Sequence, residues 1–313
     1  MIDPWAVPTS FRRYVQQWPK VDQWFPQLSV TAARCAERWQ LSPDGAAMHG
    51  WTGVVWPVRL RDGVPAVLKV SPPVGWTEGE SRALAAFARS AGQGRMVGQV
   101  PVRMVTALAF DVAERAMVLP RLDPDRSLEH HGDVDEAVTV IAELLAGIAP
   151  VRATEGLPDL VDELDEMVGS LQDNGSLDRL LVERARSRLA EVRIVAADPD
   201  RRRTLHADCH FLNVLHTRAG ESPAWVGIDP SAVNGIIEWE PVPMLRNRWA
   251  DVAATGDPDR ALRRRVDQLC EVTGADRDLV RSCAQVQAVA ALTGWQMSPQ
   301  HLHHPPYAVM ARW

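Results

Sequence analysis

The segment Leu205-His206-Ala207-Asp208-Cys209-His210-Phe211-Leu212-Asn213-Val214-Leu215, with Trp225-Val226-Gly227-Ile228-Asp229-Pro230 after it, constrains this chain more than any other. It sets an Asp, an Asn five residues on, and a second Asp at the end of an apolar strand. Residues 214–216 and 224–228 read as two short strands around a Gly/Glu/Ser/Pro turn, so Asn213 and Asp229 are expected to converge. Phosphoryl transfer from a nucleoside triphosphate requires such a set. In that chemistry Asp208 would orient the attacking hydroxyl and take its proton. Asn213 and Asp229 would hold the metal ions that neutralise the phosphates.

A lysine is the expected companion. Lys69 stands in Ala66-Val67-Leu68-Lys69-Val70, a strand otherwise wholly apolar, and Lys20 is the only other lysine in the chain. A buried ammonium needs phosphate oxygens or a carboxylate beside it. Glu80, opening the next helix, is the first choice of partner and Glu78 the second. Gly50-Trp51-Thr52-Gly53 offers a weak phosphate-covering loop, which a plain hairpin entrance explains equally well. No Walker P-loop sequence occurs.

The 313 residues suffice for two lobes, and the balance of 46% hydrophobic and 24% charged residues is that of a globular protein. A net charge of −6 argues against nucleic acid as the main partner. No run approaches a membrane span, no secretory leader is visible, and four scattered cysteines suggest no disulfide framework. A cytoplasmic protein is expected. Residues 121–200 carry nineteen Asp/Glu against eight Arg. That excess reads first as a solvated helical face and second as a surface suited to a cationic substrate.

The pattern along the chain is helical and Trp-rich over 1–45, then β over 51–58 and 65–70 around Arg61-Asp62-Gly63. A helix over 80–91 stopped by Gly92-Gln93-Gly94 follows, then strands over 100–108 and 115–119. Beyond the candidate hinge, 120–125, helices are expected over 133–149, 158–172, 176–197, 259–272 and 276–295, with an irregular C-terminal cap over 300–313. The fold class expected is α+β: a small β-rich nucleotide-binding lobe over 1–119 and a larger helical lobe over 126–313.

Two other readings use the same residues. His206, Asp208 and His210 alternate and could bind zinc in a hydrolase, but that leaves Lys69, Asn213 and Asp229 unexplained. His206 and His210 read better as supports of the loop. A kinase-fold binding protein without turnover is the other alternative. Glu238 and Glu240 are read either as acceptor-side acids or, for Glu240, as a brace paired with an Arg.

With these residues in view, the chain resembles the aminoglycoside 6-phosphotransferase and hydroxyurea phosphotransferase family. Residues 33–39 resemble its N-terminal helix, Ala66-Val67-Leu68-Lys69 its lysine strand, and Leu119-Pro120-Arg121-Leu122-Asp123 its hinge. The Asp208 loop, Ile228-Asp229-Pro230, Leu245-Arg246-Asn247 and Thr255-Gly256-Asp257 also fit. The resemblance implies a bilobal protein-kinase-like fold, ATP or GTP with Mg²⁺, and transfer to a hydroxyl of a small polar or cationic natural product. By it Lys69 contacts the α/β-phosphates and pairs with Glu80, and the backbone of Pro120 and Leu122 meets the purine. The family's His-Gly-Asp-Leu-His is His206-Ala207-Asp208-Cys209-His210 here, and Gly235-Ile236-Ile237 replaces a Gly-Asp-Pro. Bulky Phe211, Ile236 and Ile237 are therefore expected to reshape the acceptor side.

Overall fold

The computed structural model describes residues 3–51, 53–73, 77–90, 95–171, 177–294 and 305–313. Its contacts divide the chain into two units, Met1–Ala88 with Val105–Leu122 and Arg89–Met104 with Asp123–Trp313.

The first unit opens with helices α1 (Thr9–Val15) and α2 (Val21–Arg38) and the short strands β1 (Ser42–Pro43) and β2 (Met48–His49). Strands β3 (Val54–Arg59) and β4 (Pro65–Val70) follow, then helix α3 (Thr77–Ser90). Strands β5 (Arg95–Val97) and β6 (Val100–Met104) belong to the second unit, and β7 (Ala109–Asp111) and β8 (Ala116–Pro120) complete the first. The sheet runs β1-β3-β4-β8-β7, with β2 paired to β3. The β3–β4 hairpin closes at Gly63, whose φ of +85° suits glycine, and Asp62 accepts from the Val64 amide. Val54, Trp56, Val58, Ala66, Leu68 and Val70 are at most 1% exposed and pack with Ala32 and Cys35 of α2. Each large aliphatic buried in this way contributes about 1.5–3 kcal/mol.

The second unit is built on β5, β6, β9 (Asp123–Ser127), β11 (Val214–His216) and β12 (Trp225–Gly227), in the order β5-β6-β12-β11-β9. β12 runs parallel to β6 and antiparallel to β11. Its helices are α4 (Val134–Ile148), α5 (Leu160–Ser170), α6 (Arg179–Ala196), α7 (Val242–Leu245), α8 (Trp249–Ala254), α9 (Pro258–Thr273), α10 (Arg277–Leu292) and α11 (Pro305–Met310). A second small sheet pairs β10 (Arg203–Leu205) with β13 (Val233–Gly235). β12 lies so close to α4 that a Cβ on Gly227 would stand 2.6 Å from a Leu144 methyl and 2.7 Å from Met104 Sδ.

The acidic excess of 121–200 has a local explanation. Asp133, Asp159 and Asp178 cap α4, α5 and α6 by accepting from first-turn amides. Others pair with arginines, as Asp165 does with Arg193 and Glu183 with Arg179. Two expectations are corrected. The strand expected over 100–108 ends at Met104 and pairs with β12, because its valines cover α4 instead of the first sheet. The C-terminal cap is helical from Pro305 and not irregular; Trp313 is buried and donates to Asp259. Gly92-Gln93-Gly94 and the histidines at 301, 303 and 304 lie outside the described residues.

Candidate active site

The loop between β10 and β11 carries the chemistry, and its shape is fixed from beneath. His206 is fully buried. Its Nε2 lies 3.0 Å from the Ile228 carbonyl, and its Nδ1 accepts from the Asp208 amide at 3.3 Å. A carbonyl only accepts, so the proton sits on Nε2 and the ring is neutral. Burial pushes its pKa down to about 4. His206 thus ties the loop to the strand end that carries Asp229. With both ring nitrogens engaged it has none for a metal, so the zinc reading loses its first ligand. No cluster of three or more His, Cys, Asp or Glu able to hold a metal occurs among the described residues.

Ala207 adopts φ 60°, in the left-handed region that a Cβ disfavours by roughly 1–2 kcal/mol. Glu240 holds it there. One carboxylate oxygen accepts from the His206 amide at 2.6 Å and the other from the Ala207 amide at 2.9 Å. Glu240 is 3% exposed, and burial pushes its pKa up to about 7 although both amides pull it down. Glu238, 2% exposed, accepts from Arg201 Nη2 at 2.6 Å. The expectation of acceptor-side acids is therefore corrected. Both side chains are buried, Glu238 within the turn Ile237–Trp239 and Glu240 just after it, and Glu240 braces backbone amides instead of an Arg. Phe211 and Ile236 are also fully buried, with the Arg248 and Arg265 guanidiniums 5.5 Å from the Phe211 centroid. Neither reshapes an open surface. Leu212, 47% exposed, is the loop's outward apolar residue.

Asp208 is the half-exposed acid of the loop. Arg246 Nη2 donates to its Oδ1 at 2.6 Å, and His210 Nε2 stands 3.7 Å from Oδ2. Burial raises the Asp208 pKa, but the His210 and Arg246 contacts outweigh it and hold the carboxyl below its ordinary value. It is ionised at neutral pH. His210 also caps the short turn Phe211–Asn213 by accepting from the Leu212 amide. Arg246 hydrogen-bonds the Tyr307 side chain as well. Reasoning from the sequence missed Arg246 as a site residue, although Leu245-Arg246-Asn247 was one of the elements that carried the resemblance.

Asn213 stands just before β11 and Asp229 just after β12. The Ile228 amide donates to the Asn213 carbonyl at 2.9 Å, in a register that pairs Val214 with Gly227. Asn213 Nδ2 donates to the Asp208 carbonyl at 2.9 Å, which turns Oδ1 away from Asp208. Asp229 is half-buried with φ 59°, a left-handed conformation that Asp tolerates better than most residues. An amide oxygen and a carboxylate are hard donors of the kind Mg²⁺ takes.

In the first unit Lys69 Nζ donates to Glu80 Oε2 at 2.7 Å, with side chains 7% and 5% exposed. A Cβ on Gly53 would stand 3.2 Å from Ser71 Oγ and 3.4 Å from Lys69 Cε, so a side chain there would crowd the lysine. Thr52, the middle of the weak loop motif, lies outside the described residues. Glu78 bonds Arg82 on its own helix. Pro120 pairs with Ala66 across β4 and β8, and Arg121 donates to Asp44 at 2.7 Å. Pro120 and Leu122 are both half-buried.

The fold and the loop chemistry define a small-molecule kinase of the protein-kinase-like class. Solved structures of similar fold include a fructosamine-3-kinase from Thermobifida fusca, described as putative (TM-score 0.52, 18% identity, 90% of this chain and 98% of that one). Another is an aminoglycoside phosphotransferase from Streptomyces rimosus in complex with ADP and streptomycin (TM-score 0.52, 13% identity, 84% and 98%). The chain belongs to the aminoglycoside/hydroxyurea antibiotic resistance kinase family, whose sequence model matches residues 38–298. It is 36% identical to the streptomycin 6-kinase of Streptomyces glaucescens over 261 residues, 81% of this chain and 78% of that protein. It is 37% identical to the hydroxyurea phosphotransferase of Kitasatospora aureofaciens over 266 residues, 82% and 69%. The enzyme is therefore a phosphotransferase that uses a nucleotide. No helix among the described residues is long and apolar enough to cross a membrane.

Proposed function

We propose that this enzyme transfers the γ-phosphate of ATP or GTP to a hydroxyl of an aminoglycoside of the streptomycin kind, inactivating it in the cytoplasm. The observation that carries the reading is Asp208, gripped by Arg246 in a loop whose end, Asn213, accepts from the amide of Ile228, the residue before Asp229. The similarity to streptomycin 6-kinases names the acceptor class.

Asp208 orients the acceptor hydroxyl, whose oxygen forms the new bond to the γ-phosphorus as the bond to the β-phosphate bridging oxygen breaks. The nucleoside diphosphate leaves, and the hydroxyl proton passes to Asp208. A carboxylate with a depressed pKa is a weak base, so Asp208 acts first by orientation and receives the proton late, which suits a loose phosphoryl transition state. Lys69, fixed by Glu80, contacts the α/β-phosphates. Asn213 and Asp229 are the residues that would hold Mg²⁺, which supplies charge neutralisation of the phosphates. The backbone of Pro120 and Leu122 meets the purine, and Pro120, lacking an N–H, contributes only its carbonyl.

The test is a mass-spectrometric screen of streptomycin, other aminoglycosides and hydroxyurea with ATP or GTP and Mg²⁺. Streptomycin heavier by one phosphoryl group is the expected result. Phosphorylation of hydroxyurea with streptomycin untouched would replace the acceptor, and no product from any of them would overturn the reading.

A further inference from the structure

The run Arg201-Arg202-Arg203 enters β10 and plays no part in the chemistry above. Extended backbone alternates its side chains, and the structure follows that rule. Arg202 pairs with Asp159, while Arg201 and Arg203 both line a cavity of about 460 Å³ in the second unit. Arg95 of β5 lines it too, together with Ala146, Pro150, Thr273 and Glu238.

The Arg95 and Arg201 side chains, 37% and 40% exposed, are held in place by contacts with the fold. The Arg95 stem lies over Gly147 of α4, where an added Cβ would stand 3.3 Å from Arg95 Cγ. Its Nε donates to Glu143 at 2.6 Å, and Arg201 Nη2 donates to Glu238 at 2.6 Å. Arg203 Nη1 donates to the Asp200 and Arg202 carbonyls at 2.7 and 2.9 Å. Each guanidinium carries five N–H groups, so these bonds orient the forks and leave further donors on each. Two carboxylates for three arginines leave an excess of positive charge at the cavity. Concave guanidinium clusters of this kind recognise phosphate oxygens by paired, charge-assisted hydrogen bonds.

We propose that this cavity binds a small phosphate-bearing anion at a site separate from the Asp208 loop. The ligand is either a free inorganic phosphate species or the phosphate of a small ester, and the two share the same donors. Calorimetric titration of the intact enzyme with pyrophosphate, and in parallel with glucose 6-phosphate, tests it, with the nucleotide site kept saturated by AMP-PNP and Mg²⁺. One site is expected, weakened about tenfold or more by Arg203→Ala and by Arg95→Ala, as loss of a charge-assisted contact implies. The stronger of the two probes assigns a free or an esterified phosphate. Should either variant fail to fold, the wild-type protein serves. Bound probe should then protect Arg95 and Arg203 from phenylglyoxal, mapped by peptide mass spectrometry. Absence of binding by both probes at millimolar concentration, unchanged affinity in folded variants, or unprotected arginines would overturn the site.

Discussion

Asp208 and Glu240 are carboxylates held by one stretch of backbone, and their surroundings push them in opposite directions. Asp208 faces Arg246 and His210 and stays ionised below its ordinary pKa. Among the described residues, the hydrogen-bond partners of Glu240 are the His206 and Ala207 amides. Burial lifts it to about 7 even though it accepts from two loop amides, and the charge of Asp208 adds to the lift. Separation of two neighbouring acids by their environments is how one site assigns distinct roles to them. Here the half-exposed acid is placed to meet an acceptor, and the buried one shapes the loop that presents it.

The largest break in this comparison comes from Asp208→Asn. Steady-state kinetics should show kcat down by about 10²–10⁴, the span of a lost general base, while nucleotide binding followed calorimetrically changes little. A normal kcat would remove Asp208 from the role.

Next in size is Glu240→Ala, which strands two buried amides at roughly 1–3 kcal/mol each. Urea unfolding should show a loss of about 2–6 kcal/mol. The pH dependence sharpens the point. Between 4.5 and about 7 folded Glu240 keeps a proton that the unfolded chain has lost. Its contribution is complete below 4.5 and falls as pH rises to about 7. His206 works with the opposite sign: complete above its ordinary 6.5, lost as pH falls towards 4. Glu240→Gln should therefore flatten the decline in stability on the approach to pH 7, and an unaltered slope would deny Glu240 that raised pKa.

Lys69→Ala probes a third buried carboxylate, since it leaves Glu80 without this cation. It should raise the nucleotide KM or lower kcat by about tenfold or more, the worth of one charge-assisted phosphate contact. The smallest effect is expected from Ala207→Gly. Relief of a left-handed Cβ should add up to about 1 kcal/mol of stability in the same urea assay.

Much of this was legible in the sequence because it depends on short-range pattern. The Asp208–Asn213 spacing, the hairpin that brings Asn213 to Asp229, and the lone lysine in an apolar strand all lie in local stretches. The helices over 133–149 and 259–272 were legible for the same reason, with aspartate caps and sustained apolar periodicity. What escaped depends on which way a side chain turns once distant segments pack. Glu240 reads as an exposed acid until the amides of His206 and Ala207 are found against it. Phe211 reads as acceptor-side bulk until Arg248 and Arg265 close over its ring. Arg246 carried no local signal of its own, since only the fold brings it to Asp208, thirty-eight residues away in the chain. β6 was misplaced because a strand of five residues does not say which sheet it will join.

The most direct test of the division between the two acids is a single-turnover assay of Asp208→Asn and Glu240→Gln side by side, with the acceptor found by the screen. Transfer lost in the first variant with its stability intact, and retained in the second with its stability reduced, is the predicted result. Retained transfer in Asp208→Asn, or transfer lost in a Glu240→Gln protein as stable as wild type, would contradict it.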